Sequence, residues 1–371
     1  MSDDDTFEPE LAAEVAAPSG LRTGWTTGTC AAAATKAAVT WLVTGAAPAT
    51  VEVALPRGDR VSFEVTDVDP SVAHRCAVVK DAGDDPDCTD RARVTATVRW
   101  AEAADGPDRV TLEAGDGVGV VTRPGLGLPV GAPSVTAVPR RMIGAAVGEI
   151  TDRPVHVVLS VPGGQAMAAR TSNERLGIVG GISVLGTTGI VRPYSTAAFR
   201  ASVVQQINVA AAQGERVVVL STGSRTDAWA LGAWPDLAPV CFVEVGDFTG
   251  IALRRAATVG ITEVRFVGMV GKITKLAAGV MMTHFRRTKV DNELMAEVAA
   301  ATGAPAEVVA AARETATARH FFEECQAHQA WAPLVELCRR AARKCAAHAG
   351  GTVAVEVVMV DFAGSAAVAH G

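Results

Sequence analysis

The chain lacks an excess of positive charge. Its 371 residues include 34 Lys and Arg against 40 Asp and Glu, so the net charge is −6. Such a balance gives no general electrostatic attraction for nucleic acid or for an anionic membrane. Any acidic ligand would therefore need a local basic patch. Aromatic residues make up only 5% and apolar residues 49%, a globular composition that excludes disorder for the bulk of the chain.

Targeting segments and a disulfide framework are also lacking. The first residues include Asp3, Asp4 and Asp5, where a secretory signal would be basic and then apolar, and no uncharged stretch approaches the length of a membrane span. We therefore expect a cytoplasmic protein. The seven cysteines are odd in number and are scattered from Cys30 to Cys345, so we expect reduced thiols.

The length favours two domains preceded by a short leader. Residues 1–20 are acidic and rich in Ala, Pro and Ser, which predicts a disordered leader. Residues 21–151 begin with a helix, capped by hydroxyl residues and ended by Gly45, and continue in short β-branched runs, so they predict an α+β domain. From residue 152 to 371 strands alternate with helices. This predicts an α/β domain with a Rossmann-like, mostly parallel sheet and C-terminal helices, and a boundary near Asp152.

The second domain contains a pattern typical of a nucleoside site. An apolar strand at 217–220 runs into Thr222, Gly223 and Ser224, a small-residue loop that opens a helix. Glu244 and Asp247 follow the next strand, where open α/β folds often place an acid on a ribose hydroxyl. Gly268 begins a third loop in which a glycine leaves room for a ligand. A single such loop is weak, because many α/β loops contain glycine for purely steric reasons.

Basic residues cluster at three places that could grip a carboxylate-rich ligand. They are Arg140 with Arg141, Lys272 with Lys275 on one face of a helix predicted over 272–286, and Arg286 with Arg287 and Lys289. A solvated helix face is the alternative. His284 and Asp291 lie seven residues apart, two turns if that helix continues, and could form a proton-transfer pair.

Five aspartates lie between Lys80 and Asp90. The segment is similar to a cation loop but lacks the Gly and the terminal Glu of an EF-hand, so a loop of Asx turns is the default interpretation. Cys325 with His328, and Cys345 with His348, imitate metal-ligand spacing but lie in amphipathic helix, where they commonly fill packing positions. We predict no metal site of the protein itself.

Several of these segments together resemble one family, the cobalt-precorrin-5B C(1)-methyltransferases of cobalamin biosynthesis, or CbiD family. The matching segments occur in family order, and the block at 171–195 is long enough to make chance implausible; they are residues 21–31, 79–87, 115–126, 138–143, 171–195, 271–279, 283–287 and 290–291. Mild departures are Trp25, Val135 and Phe285, where the family usually has other residues.

The resemblance implies methyl transfer from S-adenosylmethionine to ring carbon 1 of cobalt-precorrin-5B, in the anaerobic formation of the corrin ring. The cobalt would belong to the substrate. We assign proton movement to Asp84, Asp85 and His284. The cofactor would bind in the second domain, to Thr222, Gly223, Ser224, Glu244, Asp247 and Gly268. The substrate carboxylates would bind partly in the first domain, to the set Thr26, Thr27, Arg140, Arg192, Lys272, Lys275, Arg286 and Arg287.

Two other functional classes use some of the same features. A non-catalytic corrinoid carrier would keep the basic and Gly-rich segments without needing the Thr-Gly-Ser loop. An NAD-dependent oxidoreductase would need a G-x-G-x-x-G fingerprint in a βαβ unit, which the sequence lacks. The candidate protein partners are a second copy of this chain, in a homodimer, and neighbouring pathway enzymes in transient contact.

Overall fold

The computed structural model describes residues 20–66, 74–284, 289–315 and 317–371. The chain divides into two compact units, Met1–Ala197 and Ala198–Gly371. The predicted leader lies outside the described residues except for Gly20. Within the described ranges, no helix combines the length and apolarity needed to cross a membrane.

The first unit is built around one buried helix, α1. Thr26 caps it by accepting a hydrogen bond from the Thr29 N–H (3.2 Å), and Gly45 ends it in the left-handed conformation, as predicted. The elements that follow are mostly short strands. In chain order the unit contains β1 (Gly24–Trp25), α1 (Thr27–Thr44), β2 (Thr50–Ala54), β3 (Arg60–Glu64), β4 (Arg75–Val79), β5 (Arg93–Trp100), β6 (Val110–Ala114), β7 (Gly117–Val118), β8 (Val120–Val121), α2 (Ala137–Gly148), β9 (Val155–Ser160), α3 (Gly164–Ala168), β10 (Ile178–Val179), β11 (Gly181–Ile182) and β12 (Ile190–Val191).

Its main sheet has the order β4-β5-β9-β6, in which only the β6–β9 pair is parallel. Helix α1 packs against β4, β5 and α2. Its alanines, Ala31 to Ala34, are fully buried, and their small side chains allow this close approach. Four two-stranded ladders complete the unit: β1–β12, β2–β3, β7–β11 and β8–β10.

The division between the units differs from the predicted boundary near Asp152. Strand β9, predicted to open the second domain, pairs with β5 and β6, and the first unit continues to Ala197. Two glycines of the first unit lie where main-chain segments approach each other closely. A Cβ on Gly117 would lie 1.9 Å from the Val161 carbonyl oxygen, and one on Gly181 would lie 2.0 Å from the Gly117 oxygen. Glycine is needed there because strands and turns approach so closely.

The second unit contains a five-stranded sheet with the order β14-β13-β15-β16-β17. The first four strands are parallel and β17 is antiparallel at the edge. Strand β13 reads as a continuous apolar run from Val217 to Leu220, as expected where helices cover both faces of a sheet. The elements are α4 (Thr196–Ala212), β13 (Val217–Ser221), α5 (Ser224–Ala233), β14 (Phe242–Glu244), α6 (Thr249–Thr258), β15 (Glu263–Gly268), α7 (Val270–Ala277), α8 (Asn292–Ala301), α9 (Ala306–Glu314), α10 (Ala318–Ala327), α11 (Ala332–His348), β16 (Ala354–Val360) and β17 (Ala367–His370).

Helix α7 is shorter than predicted. It ends at Ala277, and Gly279 follows in the left-handed conformation (φ +85°), so the predicted helix over 272–286 is wrong over 278–284, while the last two positions lie outside the described residues. Asp291 instead caps α8 by accepting the Leu294 N–H at 2.9 Å. His284 and Asp291 therefore do not share a helix, and the predicted two-turn spacing between them does not exist.

A charged network joins α1, α2 and β2 in the first unit. Lys36, only 9% exposed, donates to the Glu52 carbonyl oxygen (2.7 Å) and pairs with Glu149 just after α2. Arg60 also pairs with Glu149, at 2.8 Å. Hydrogen bonds from Arg60 and then Lys36 lower the pKa of Glu149 from its ordinary 4.5 to about 2.

This network predicts a pH-dependent stability. Folded Glu149 stays ionised at pH values where the unfolded chain protonates it, so its contribution is complete above about pH 4.5 and is lost as the pH falls toward about 2. We expect Glu149→Gln to lower the free energy of unfolding near neutral pH, and the difference from the parent to shrink across this window. Denaturant unfolding at several pH values measures it; a difference that does not change with pH would contradict the prediction.

Candidate functional site

A cavity of about 970 Å³ opens in the second unit at the carboxyl ends of the parallel strands. Its walls come from the loops after β13, β14 and β15, from residues between α7 and α10, and from the turn after β16. This is the edge where open α/β sheets bind ligands. The lining residues are Thr222, Gly223, Ser224, Arg225, Thr226, Asp247, Met269, Val270, Gly271, Lys272, Lys275, Thr283, Lys289, Val290, Asn292, Thr315, Thr317, Ala318, Arg319 and Phe362.

The Thr-Gly-Ser loop after β13 is held by one hydroxyl group. Thr226 Oγ1, in the first turn of α5, accepts the N–H groups of Thr222 (2.9 Å) and Gly223 (3.1 Å) and donates to the Gly223 carbonyl oxygen (2.7 Å). The loop is thereby fixed without a ligand. A Cβ added to Gly223 would meet no atom within 4 Å, so the missing side chain leaves open space at the cavity wall.

Asp247, in the loop after β14, is fixed from two sides. Its Oδ1 lies 3.1 Å from Lys272 Nζ and accepts the Thr283 hydroxyl at 3.2 Å, while its carbonyl oxygen accepts the Thr283 N–H at 3.1 Å. These contacts join the loop after β14 to α7 and to the segment that follows α7. The side chain of Asp247 therefore has a fixed position in the cavity wall.

Lys272 and Lys275, predicted to grip the substrate, already donate to protein oxygens. Lys272 Nζ donates to the carbonyl oxygens of Gly246 (2.8 Å) and Thr222 (3.2 Å), and thus joins two strand-end loops. Lys275 is only 5% exposed and donates to the Thr283 carbonyl oxygen at 3.0 Å. Burial lowers the pKa of Lys275. Both lysines line the cavity, but their first role is to hold its wall.

Removing the Lys272 ammonium should therefore destabilise the second unit. Lys272→Met removes the donor from the Gly246 and Thr222 carbonyl oxygens and the ion-pair partner from Asp247, at a cost of about 1–3 kcal/mol. We expect a lower Tm in thermal unfolding, whereas Lys344→Met, at an exposed position of α11, should unfold like the parent. Equal Tm values for the parent and Lys272→Met would show that the ammonium does not hold the loops.

The structure does not bring every predicted cofactor residue to the cavity. Glu244 is exposed at the end of β14, and Gly268 ends β15 in a buried position; neither lines the cavity. His284 is half-buried in the segment after α7, and Arg286 and Arg287 lie outside the described residues.

Several residues of the cavity were not predicted from the sequence, and three of them carry a charge or an aromatic ring. Arg225 follows the Thr-Gly-Ser loop at the start of α5, Arg319 lies in α10, and Phe362 follows β16. The position of Arg225 directly after the loop could have indicated it. Arg319 and Phe362 are far along the chain, and only the fold brings them to the same edge.

In the first unit, the aspartate-rich segment is a loop organised by its own side chains. Lys80 is completely buried and pairs with Asp87 (2.6 Å), whose other oxygen accepts the N–H and the hydroxyl of Thr89. Burial opposes ionisation of Asp87, but the hydrogen bond and charge of Lys80 and the hydrogen bonds from Thr89 together outweigh it, so the pKa of Asp87 is lowered. Asx turns thus account for two of the five carboxylates, since Asp81 accepts the Gly83 N–H and Asp87 accepts the Thr89 N–H.

The two predicted catalytic aspartates in this loop accept main-chain hydrogen bonds. Asp84 accepts the Arg22 N–H at 2.7 Å and is exposed, and Asp85 accepts the Tyr194 N–H at 2.9 Å and is half-buried. Arg22 also pairs with Asp81, and the hydrogen bond lowers the pKa of Asp81. The loop is therefore tied to the start of the described chain and to the segment after β12.

The other predicted substrate residues of the first unit differ in accessibility. Thr26 and Thr27 are buried at the start of α1, where Thr26 acts as the cap. Arg140 donates to the carbonyl oxygens of Val135 (2.8 Å) and Pro133 (3.2 Å), and burial lowers its pKa. Arg192 is exposed just after β12 and remains available to a ligand.

The thiols with metal-like spacing are packed in helices, whereas His328 is exposed just after α10. Cys325, Cys338 and Cys345 are fully buried in α10 and α11, and His348 Nε2 lies 2.9 Å from Arg254 Nη1. In the described part of the chain, no three His, Cys, Asp or Glu side chains are grouped so that they could hold a metal ion.

Comparison with known proteins places this chain in one family. The model of the family described as CbiD matches residues 14–193, and the model of the CbiD C-terminal domain matches residues 282–371. The chain belongs to the CbiD family. The cobalt-precorrin-5B C(1)-methyltransferase of Salinispora arenicola is 55% identical over 95% of this chain and 93% of its own, and that of Salinispora tropica is 54% identical with the same coverage.

A solved member of the CbiD family is more distant. The crystal structure of a cobalamin biosynthesis protein (cbiD) from Archaeoglobus fulgidus is 28% identical and covers 72% of this chain and 83% of its own, with a TM-score of 0.39. The CbiD model that matches the N-terminal part ends at residue 193, close to the end of the first unit at Ala197.

Proposed function

We propose that this CbiD protein transfers a methyl group from S-adenosylmethionine to carbon 1 of cobalt-precorrin-5B during formation of the corrin ring. Membership of the CbiD family and the names of its close relatives support the reaction and the substrate. A methyltransferase requires a methyl donor. The single observation that supports a nucleoside-type donor is the cavity at the carboxyl ends of β13, β14 and β15.

The donor would bind against the Thr-Gly-Ser loop. We infer a Rossmann-like α/β unit, supported by four adjacent parallel strands with helices between them. Gly223 leaves open space at the wall, and both hydrogen bonds to the Asp247 carboxylate use Oδ1. Asp247 Oδ2 would then accept a ribose hydroxyl. Lys272 and Thr283 position Asp247 and do not touch the donor in this scheme.

The chemistry requires alignment more than a protein nucleophile. An electron-rich ring carbon attacks the sulfonium methyl, the carbon–sulfur bond breaks, and S-adenosylhomocysteine leaves. Holding the two reactants in line can supply up to about 7–11 kcal/mol of the barrier. A thiolate is not needed, and burial raises the pKa of the Cys30 thiol to about 12. Cys30 is thus a packing residue of α1.

A bulky side chain at Gly223 should block donor binding without unfolding the protein. The Cβ enters open space, so Gly223→Val should keep the parent Tm and lose affinity for S-adenosylhomocysteine by at least about tenfold, the loss expected from displacing one well-placed contact. Asp247→Asn should also weaken binding. Isothermal titration measures both affinities.

Gly232→Val provides the matched control, because Gly232 is an exposed residue of α5 outside the cavity and its Cβ also meets no atom within 4 Å. Parent-like binding by both Gly223→Val and Asp247→Asn would place the donor elsewhere. A protein that binds corrinoid but not S-adenosylhomocysteine would be a carrier and not a methyltransferase.

Asp84 and Asp85 remain the candidates for proton movement on the macrocycle. Asparagine keeps an oxygen that can accept the Arg22 or Tyr194 N–H, so Asp84→Asn and Asp85→Asn should fold while losing the carboxylate. We expect slower single-turnover methylation with donor affinity within a few-fold of the parent. Cys30→Ala should methylate the substrate at nearly the parent rate. Fully active Asp variants, or a folded but inactive Cys30→Ala, would overturn these roles.

A further inference from the structure

The turn between β16 and β17 places one aromatic residue, Phe362, in contact with two arginines at the cavity. Arg225 Nη1 donates to the carbonyl oxygen of Phe362, and the guanidinium carbon of Arg319 lies 5.0 Å from the centre of the Phe362 ring. All three residues line the cavity. The two guanidinium groups therefore have Phe362 as a common support, although they come from α5 and α10.

The turn itself is well fixed. The Asp361 carboxylate accepts the hydroxyl and the N–H of Ser365, each at 2.7 Å, and these hydrogen bonds lower the pKa of Asp361. The Phe362 ring packs edge-on against Phe322, with ring centres 5.3 Å apart. Phe362 is thus held from its main chain and from its ring.

The charge of the cavity wall is strongly positive in a protein whose net charge is −6. Five basic side chains line the cavity, and Asp247 is the acidic residue among the lining residues that the structure describes. Lys272 pairs with Asp247, and Lys275 is buried against a carbonyl oxygen. The positive charge that faces a ligand therefore comes from the set Arg225, Lys289 and Arg319.

Arg319 pairs with Glu323, at 2.8 Å one helical turn away. Their side chains are 64% and 49% exposed, so the pair is weak and a ligand carboxylate can replace it. Guanidinium groups bind carboxylates in a two-point geometry when their planes are held in place. Stacking on Phe362 provides that restraint for Arg319.

We infer that Arg225 and Arg319, positioned by Phe362, bind acetate or propionate side chains at the edge of the macrocycle; these three residues are called the Phe362 clamp. The inference rests on the proposed function, because it takes the ligand to be a carboxylate-bearing tetrapyrrole. Arg225 and Arg319 contact the ligand. Phe362 is a positioning residue that acts through Arg319.

Two stable probes that differ only in charge test the clamp. One is a cobalt corrin with free acetate and propionate side chains, and the other is the same corrin with all of them converted to carboxamides. Isothermal titration of the full chain, saturated with S-adenosylhomocysteine, should show tighter binding of the carboxylate form, weakened by salt. Arg225→Gln and Arg319→Gln should each lose about tenfold or more in affinity for that form and little for the carboxamide.

Phe362→Leu tests the positioning role. Leucine keeps the carbonyl oxygen that Arg225 uses but removes the ring under Arg319, so affinity for the carboxylate corrin should fall about three- to fivefold. In the Arg319→Gln background the same change should have almost no further effect, because Phe362 acts through Arg319. If Phe362 had only a structural role, Phe362→Leu would lower the affinity for the carboxylate corrin equally in the parent and in the Arg319→Gln variant.

Arg313→Gln is the control, since Arg313 is an exposed residue of α9 outside the cavity. Equal affinity of the parent for the two probes, no binding of either, or parent-like binding of the carboxylate form by Arg225→Gln and Arg319→Gln would overturn the clamp. Titration of the parent with S-adenosylhomocysteine alone tests the proposed function separately. Donor binding without discrimination between the corrins would refute only the clamp.

Discussion

The cavity of the second unit depends on the contacts of one ammonium group. Lys272 joins the loops after β13 and β14 by donating to the Thr222 and Gly246 carbonyl oxygens, and it fixes Asp247 by an ion pair. A buried or half-buried charge is stable only when its partners are in place, so the ammonium makes the positions of these loops mutually dependent.

The local elements of the fold could be predicted well from the sequence, because their signals are local. Thr26 and Gly45 delimit α1, and the apolar run at 217–220 is a strand. The extent of α7 was predicted wrongly because Gly279 was not given weight as a stop signal. The pairing of β9 with strands of the first sheet could not be predicted, since a run of β-branched residues does not indicate which strand it pairs with.

The site could be predicted only in part for the same reason. The Thr-Gly-Ser loop and Asp247 follow consecutive strands, so a sequence pattern brings them together. Lys272 and Lys275 were recognised as important basic residues, but the oxygens they bind come from loops that only the folded chain places nearby. Arg319 and Phe362 lie in helical and turn segments without any motif. Their meeting with Arg225 is a property of the tertiary fold.

The four alanines of α1 restrict how the first unit can change. Ala31, Ala32, Ala33 and Ala34 face in all directions around the helix, and all are completely buried. A larger side chain at any of them would overpack the core, typically at about 1–3 kcal/mol, and glycine would cost up to about 1 kcal/mol in helix propensity. Both larger residues and glycine are therefore disfavoured at these four positions. A helix made of the smallest helix-forming residue becomes one of the least substitutable parts of the molecule, although its side chains carry no chemistry.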